Sequence, residues 1–150
     1  MTTDQKGAVA DAAVALAAIK LGAHVYRPIS DSGRADLILD IASKLFRVQC
    51  KWVPLRGGWI PIPFQSCRRG PEGFVRRVYT VDEIDALVAY CQALDRCFWL
   101  PIQRFAASPA IRLRLAPSRN NQRLRINWAD DFDFAARLSD LGAVAQLGEH

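Results

Sequence analysis

"RVQCKW", residues 47–52, has the outline of a strand but carries polar residues where Val or Ile would be usual. Side chains alternate along a strand, so Gln49 and Lys51 point one way while Val48, Cys50 and Trp52 point the other. Two explanations compete for the polar face. Either it is simply the wet one, or it meets an acid brought from elsewhere in the chain.

Working outward, "DQKGAVADAAVALAAIKLGAHV" opens the chain as a helix, with Asp4 as the cap and Gly22 supplying the left-handed turn at its end. "HVYRPI" reads as a strand stopped at Pro28, "RADLILDIA" as a second and "KLFRVQCKW" as a third, the last two joined as a hairpin through Ala42-Ser43. "GWIPIPFQ" is a fourth strand whose prolines confine it to an edge. "TVDEIDALVAYCQAL", residues 80–94, reads as a second helix with Thr80 as cap and Glu83 at the capping-box position. "CFWLPI", "IRLRL" and a short "RINW" add strands, and a last helical stretch lies near residues 131–140. Helices alternating with strands give an α/β class with a mixed sheet flanked by helices.

Composition bounds the function. A chain of 150 residues with 51% hydrophobic content buries a core as one domain, expected over residues 1–141. No apolar run spans a membrane and "MTTDQKG" lacks a signal-peptide core, so a cytoplasmic protein is expected. Cys50, Cys67, Cys91 and Cys97 form no CxxC pair and have no histidine nearby, which argues for reduced thiols rather than a zinc knuckle; His24 and His150 are bystanders. The net charge of +5 is unevenly placed. Lys44 to Tyr79 holds eight basic residues against one acid, Glu72, and Arg104 to Arg125 holds six arginines and no acid. Arginine-rich stretches of this kind are the footprint of a polyanion binder.

The acid for the polar face is Asp36, at the head of the strand before "RVQCKW", where hairpin pairing sets it beside Gln49 and Lys51. Asp11 on the first helix, a turn and a half after Lys6-Gly7, is a second. The set "KGAVAD", "YRPISDSGRADLIL" and "RVQCK", with "RNNQRLRINWADDFDF" less specifically, resembles the PD-(D/E)XK nuclease superfamily over most of residues 5–135. Within it the likeness is to small homing endonucleases of the group I intron type, in which Gln stands on the catalytic strand. Two positions depart from the pattern: Asp11 stands where the family has Glu, and Ala35 where it has Pro. The resemblance implies a restriction-endonuclease-like core and a Mg²⁺-dependent (or Mn²⁺-dependent), site-specific endonuclease acting on double-stranded DNA. It implies Asp11, Asp36, Gln49 and Lys51 as the catalytic residues, with Asp36, Asp11 and the backbone carbonyl of Cys50 as metal ligands. Hard oxygen ligands suit Mg²⁺, and a lysine beside the attacking water can stabilise charge or help take a proton. A Holliday-junction resolvase and a catalytically decayed DNA-binding protein on the same scaffold are the alternatives.

DNA contacts are expected outside the catalytic hairpin. Arg68, Arg69, Arg76 and Arg77 sit in and around a Gly/Pro-containing loop, "SCRRGPEGFVRR", expected to serve as an arm for phosphate contacts, and Asn120, Asn121 and Gln122 offer side-chain amides able to read adenine edges. One active site per small domain means that cutting both strands needs at least two subunits, a homodimer, and the resemblance to intron endonucleases implies a homotetramer as the other assembly. Trp128, Phe132 and Phe134 are expected in the core. The codons of "GAVAQLGEH", residues 142–150, can spell the start of a tRNA gene, so this tail is expected to be selected as RNA and to be disordered.

Overall fold

The computed structural model describes residues 1–30, 33–106, 108–115 and 126–142, and for residues 66–70 and 74–76 it describes the backbone alone. Helix α1 (Thr3–Lys20) is capped by Thr2 rather than Asp4, whose side chain lies in the first turn. Thr2 Oγ1 accepts from the Gln5 amide at 3.1 Å and Gln5 Oε1 accepts from the Thr2 amide at 2.8 Å, a reciprocal capping box that begins two residues before the expected cap. Gly22, at φ 92°, ends the helix as expected, with the Gly22 and Ala23 amides closing onto the Ile19 and Ala18 carbonyls. Ala10, Val14 and Ala18 form the buried stripe, and their small side chains let the helix lie close on the sheet.

Strands β1 (His24–Tyr26), β2 (Leu37–Ile41) and β3 (Lys44–Val53) follow in the expected order. β2 and β3 pair antiparallel with Leu37 opposite Val48, through a two-residue turn in which Ala42 and Ser43 both take positive φ. That is the geometry whose twist matches the flanking strands. β4 (Trp59–Pro63) carries its prolines on the edge of a three-stranded sheet, and β5 (Gln65–Gly70) and β6 (Gly73–Val78) form a separate hairpin. The sequence reading of "SCRRGPEGFVRR" as a loop is therefore corrected: it is a two-stranded arm turning at Pro71-Glu72, with Gly70 opposite Gly73.

A second correction concerns residues 80–94. Thr80 does start a turn, but the expected helix is strand β7 (Ala86–Cys91), all six residues of which are buried. β7 runs parallel to β3 and antiparallel to β8 (Arg96–Pro101), giving a five-stranded mixed sheet in the order β1-β2-β3-β7-β8. A strand covered on both faces has no polar side, so its apolar run is indistinguishable by pattern from a buried helix. After the short helix α2 (Ile102–Phe105), β9 (Ala110–Arg114) and β10 (Asn127–Trp128) complete the small sheet, and a 3-10 turn (Ala129–Phe132) leads into α3 (Phe134–Asp140).

The central sheet thus has two cores. On one face α1 and α3 cover Leu37, Leu39, Ile41, Val48, Cys50, Val88 and Trp99; on the other, β4, β9, α2 and the 3-10 turn cover Val53, Leu87, Ala89, Phe98 and Leu100. Phe132 and Phe134 are core residues, one in each cluster, while Trp128 is half-buried. No helix among the described residues is long and apolar enough to cross a membrane.

The β2–β3 turn offers a stability test. Ser43, at φ 68°, holds a left-handed conformation that an L residue adopts at a cost and glycine does not. Ser43→Gly is expected to stabilise the protein by roughly 0.5–1 kcal/mol, read as a higher urea midpoint with unchanged slope.

Candidate active site

The site forms where β2 begins to pair with β3. The Asp36 amide donates to the Val48 carbonyl at 2.8 Å, and the Asp36 carboxylate accepts from the Cys50 amide at 2.9 Å. Asp36 is therefore fixed at both ends of the residue, by main chain and by side chain, to the strand that carries Gln49 and Lys51. Asp11 approaches from α1. One carboxylate oxygen each of Asp11 and Asp36 and the sulfur of Cys50 all lie within 4.8 Å of one another. The two carboxylates also line a cleft of about 210 Å³ with Arg27, Pro28, Ser30, Gly33 and Ala35.

Electrostatics at the cluster are unfavourable to its negative charge. Burial pushes the Asp36 carboxyl up to about 6; the Cys50 amide and the charges of Arg27 and Lys51 oppose the rise, while the neighbouring Asp11 adds to it. Asp11 is raised in the same way by burial, against the pull of Arg27 and a hydrogen bond with the Cys50 thiol. Cys50 is pushed well above the usual thiol range by burial and then by the two aspartates. The thiol is consequently neutral, and it is a donor to Asp11 rather than an anion.

Lys51 lies on the opposite face of β3 from Cys50. Its ammonium donates to the Gln65 carbonyl at 2.9 Å and sits 5.4 Å from the centre of the Tyr79 ring. Tyr79 is buried, which pushes its phenol up to about 12 despite the nearby Arg34. Gln49 is half-buried on the same face as Lys51, level with Leu87 of β7. The polar face is thus half-buried rather than fully wet, and its lysine is held by a main-chain carbonyl.

The fold brings Asp11, Asp36 and Cys50 together and sets Lys51 close enough to lower Asp36. The residues expected to contact DNA are placed less completely. Arg68, Arg69 and Arg76 stand on the β5–β6 arm, where the backbone alone is described, and Asn120, Asn121 and Gln122 lie outside the described residues. Arg77 is exposed and pairs with Glu83 at 3.1 Å. Sequence reasoning passed over Arg27, Arg34 and Tyr79. Arg34 could have been found from its place two residues before Asp36; Tyr79 and Arg27 reach the site only through tertiary packing.

Comparison with known proteins agrees with this architecture. A family model described as PD-(D/E)XK endonuclease matches residues 1–135. The solved structure of a bacterial homing endonuclease, I-Ssp6803I, superposes with a TM-score of 0.75 at 25% sequence identity, covering 98% of this chain and 99% of that one. No curated protein matches.

The raised Asp36 carboxyl has a consequence that does not depend on activity. A folded-state pKa near 6, above the unfolded value near 3.8, means that the native state binds the extra proton, so this group disfavours folding once pH exceeds both values. Asp36→Asn removes the charge and keeps an oxygen for the Cys50 amide. Its melting temperature is expected to exceed that of the wild type at pH 8, with the gap closing as pH falls through 6 toward 4; an equal gap at both ends would contradict the assignment.

Proposed function

The chain belongs to the PD-(D/E)XK endonuclease family, and from that premise we propose that it is a Mg²⁺-dependent, site-specific homing endonuclease hydrolysing phosphodiester bonds in double-stranded DNA. The observation that carries the reading is the cluster of Asp11 and Asp36, tied through the Cys50 amide to the strand bearing Gln49 and Lys51. Its full-length likeness to a homing endonuclease supports the finer assignment over a general nuclease.

The residues present fit a divalent cation. Two carboxylates whose charge is disfavoured by burial converge within 4.8 Å, and a hard dication would offset that desolvated negative charge. Asp36 and Asp11 would hold it with the Cys50 carbonyl, the neutral thiol being a weak competitor. When bound, such an ion neutralises phosphate charge and acidifies water.

The chain's own residues do the rest. Lys51, anchored by the Gln65 carbonyl, presents its ammonium beside Asp36, where it stabilises charge developing on the phosphate. Gln49 orients the attacking water through its amide without adding charge. Arg27, lining the same cleft as the carboxylates, offers a second cation for the phosphate. The β5–β6 arm carries Arg68, Arg69 and Arg76 to the backbone of the duplex, and Asn120, Asn121 and Gln122 serve base reading. Residues 1–141 form the working domain, and two such domains in a homodimer or homotetramer cut both strands.

A plasmid library, linear DNA and a four-way junction, each with Mg²⁺ or with EDTA, test this reading. Cleavage at discrete sites of linear duplex, lost in EDTA, is expected; cutting of the junction alone would assign a resolvase, and binding without cutting would assign a decayed relic. Lys51→Ala and Asp36→Asn are each expected to lower the cleavage rate by at least about 10²-fold while duplex affinity, measured in Ca²⁺, changes by less than about threefold. Arg68→Ala with Arg69→Ala is expected to weaken binding to all sequences and to reduce the log–log salt slope by roughly one for every phosphate that the arm no longer neutralises. An unchanged slope would place the arm away from DNA.

A further inference from the structure

The root of the β5–β6 arm is held from two sides by the residues that flank the site. On the β6 side, Arg34 Nη1 donates to the Val78 carbonyl at 2.7 Å and to Glu83 Oε1 at 3.0 Å, and Nη2 donates to the Arg77 carbonyl at 3.0 Å. The guanidinium also stacks 4.0 Å from the centre of the Tyr79 ring, and its side chain is only 12% exposed. Glu83 is fastened in turn by Thr80 at 3.1 Å and Arg77 at 3.1 Å. On the β5 side, Gln65 takes the Lys51 ammonium. Gln65 and Val78 are the first pair of the arm, so its two strands are pinned at the same level, one to Lys51 and one to the residue two before Asp36.

A surface ion pair would not be built this way. One planar guanidinium meets two carbonyls at the end of a strand, a carboxylate and an aromatic face, a combination that a lysine cannot reproduce. Tyr79 stands between the two attachments, with Arg34 at 4.0 Å and Lys51 at 5.4 Å from its ring. A shift of the arm therefore moves both the peptide that accepts from Lys51 and the peptides that accept from Arg34.

We propose that Arg34 is a positioning residue, clamped with Glu83 and Tyr79, that couples seating of the β5–β6 arm on its substrate to the placement of Lys51 and Asp36. The proposal rests on the nuclease reading above for its activity readout, but not for its structural one. Arg34 does its work at the root of the arm and makes no contact with the nucleic acid. Displacement of a catalytic group by about 1 Å is enough to slow a reaction roughly 10²-fold.

Two measurements test it on the full chain. In amide hydrogen exchange without DNA, Arg34→Ala is expected to speed exchange at residues 77–78 and also at residues 48–51; faster exchange confined to the arm overturns the coupling, whatever the activity. In single-turnover cleavage with Mg²⁺, Arg34→Ala and Arg34→Lys are expected to be roughly 10- to 100-fold slower, with duplex affinity in Ca²⁺ and its salt slope unchanged. A parallel fall in affinity and slope would show that Arg34 grips phosphate directly, and a wild-type rate would show that the clamp is idle; either overturns the proposal. If Arg34→Ala does not fold, Arg34→Lys and Glu83→Gln carry both measurements, Glu83→Gln with a smaller loss. Wild type and Lys51→Ala run alongside, so that absence of cutting by the wild type counts against the nuclease reading while the exchange result still decides the clamp.

Discussion

The hydrogen bond from the Cys50 amide to the Asp36 carboxylate is the interaction on which the arrangement of the site turns. β3 changes partner along its length: Lys44–Val48 pair with β2 on one flank and Val48–Val53 with β7 on the other. At Cys50 the β2 flank has run out, and a buried amide there needs an acceptor. Asp36 supplies one from its side chain. A carboxylate is thereby tied to the peptide midway between Gln49 and Lys51, and α1, packed by Ala10 and Val14, brings Asp11 to the same point. The demand for a satisfied backbone and the demand for a charged site are met by one group. Burial opposes that charge, and the amide offsets only part of the opposition.

Charge on this chain divides into two populations. Arg47 is spent internally: its amide and guanidinium bond to Asp85, and its Nη atoms donate to the Val81 and Asp82 carbonyls. Arg34 is likewise committed to Glu83 and to main-chain oxygens, and Arg96 bridges Asp130 and Asp133. These arginines fasten loops to the sheet. A count of basic residues along the sequence therefore overstates the charge that faces a polyanion.

The β2–β3 hairpin was legible in the sequence because its information is local: alternation, a two-residue turn, and an aspartate placed opposite Gln49. The α1 termination at Gly22 and the edge position of β4 were legible for the same reason, each fixed by one residue's backbone chemistry. β7 was not. "ALVAYC" is buried on both faces, and the Thr80 and Glu83 that imitated a helix cap join each other by side chains instead, with Glu83 turned to Arg34 and Arg77. The arm was hidden because its strands carry arginines rather than an apolar alternation. Asp11, Asp36, Gln49 and Lys51 were singled out in the sequence through the family resemblance, whereas the cleft contribution of Arg27 and the placing of Lys51 by Gln65 depend on the path of the chain through space.

The parallel pairing of β3 with β7 joins partners 38 positions apart, Val48 with Ala86, and everything between them belongs to β4, the arm and their connections. Closing a loop of that length costs more chain entropy than closing the β2–β3 turn. The pairing of β2 with β3 is local, whereas that of β3 with β7 rests on non-local contacts and carries the larger closure cost. Because that cost grows only slowly with length, the excursion between β3 and β7 is where added or removed residues weigh least on the sheet.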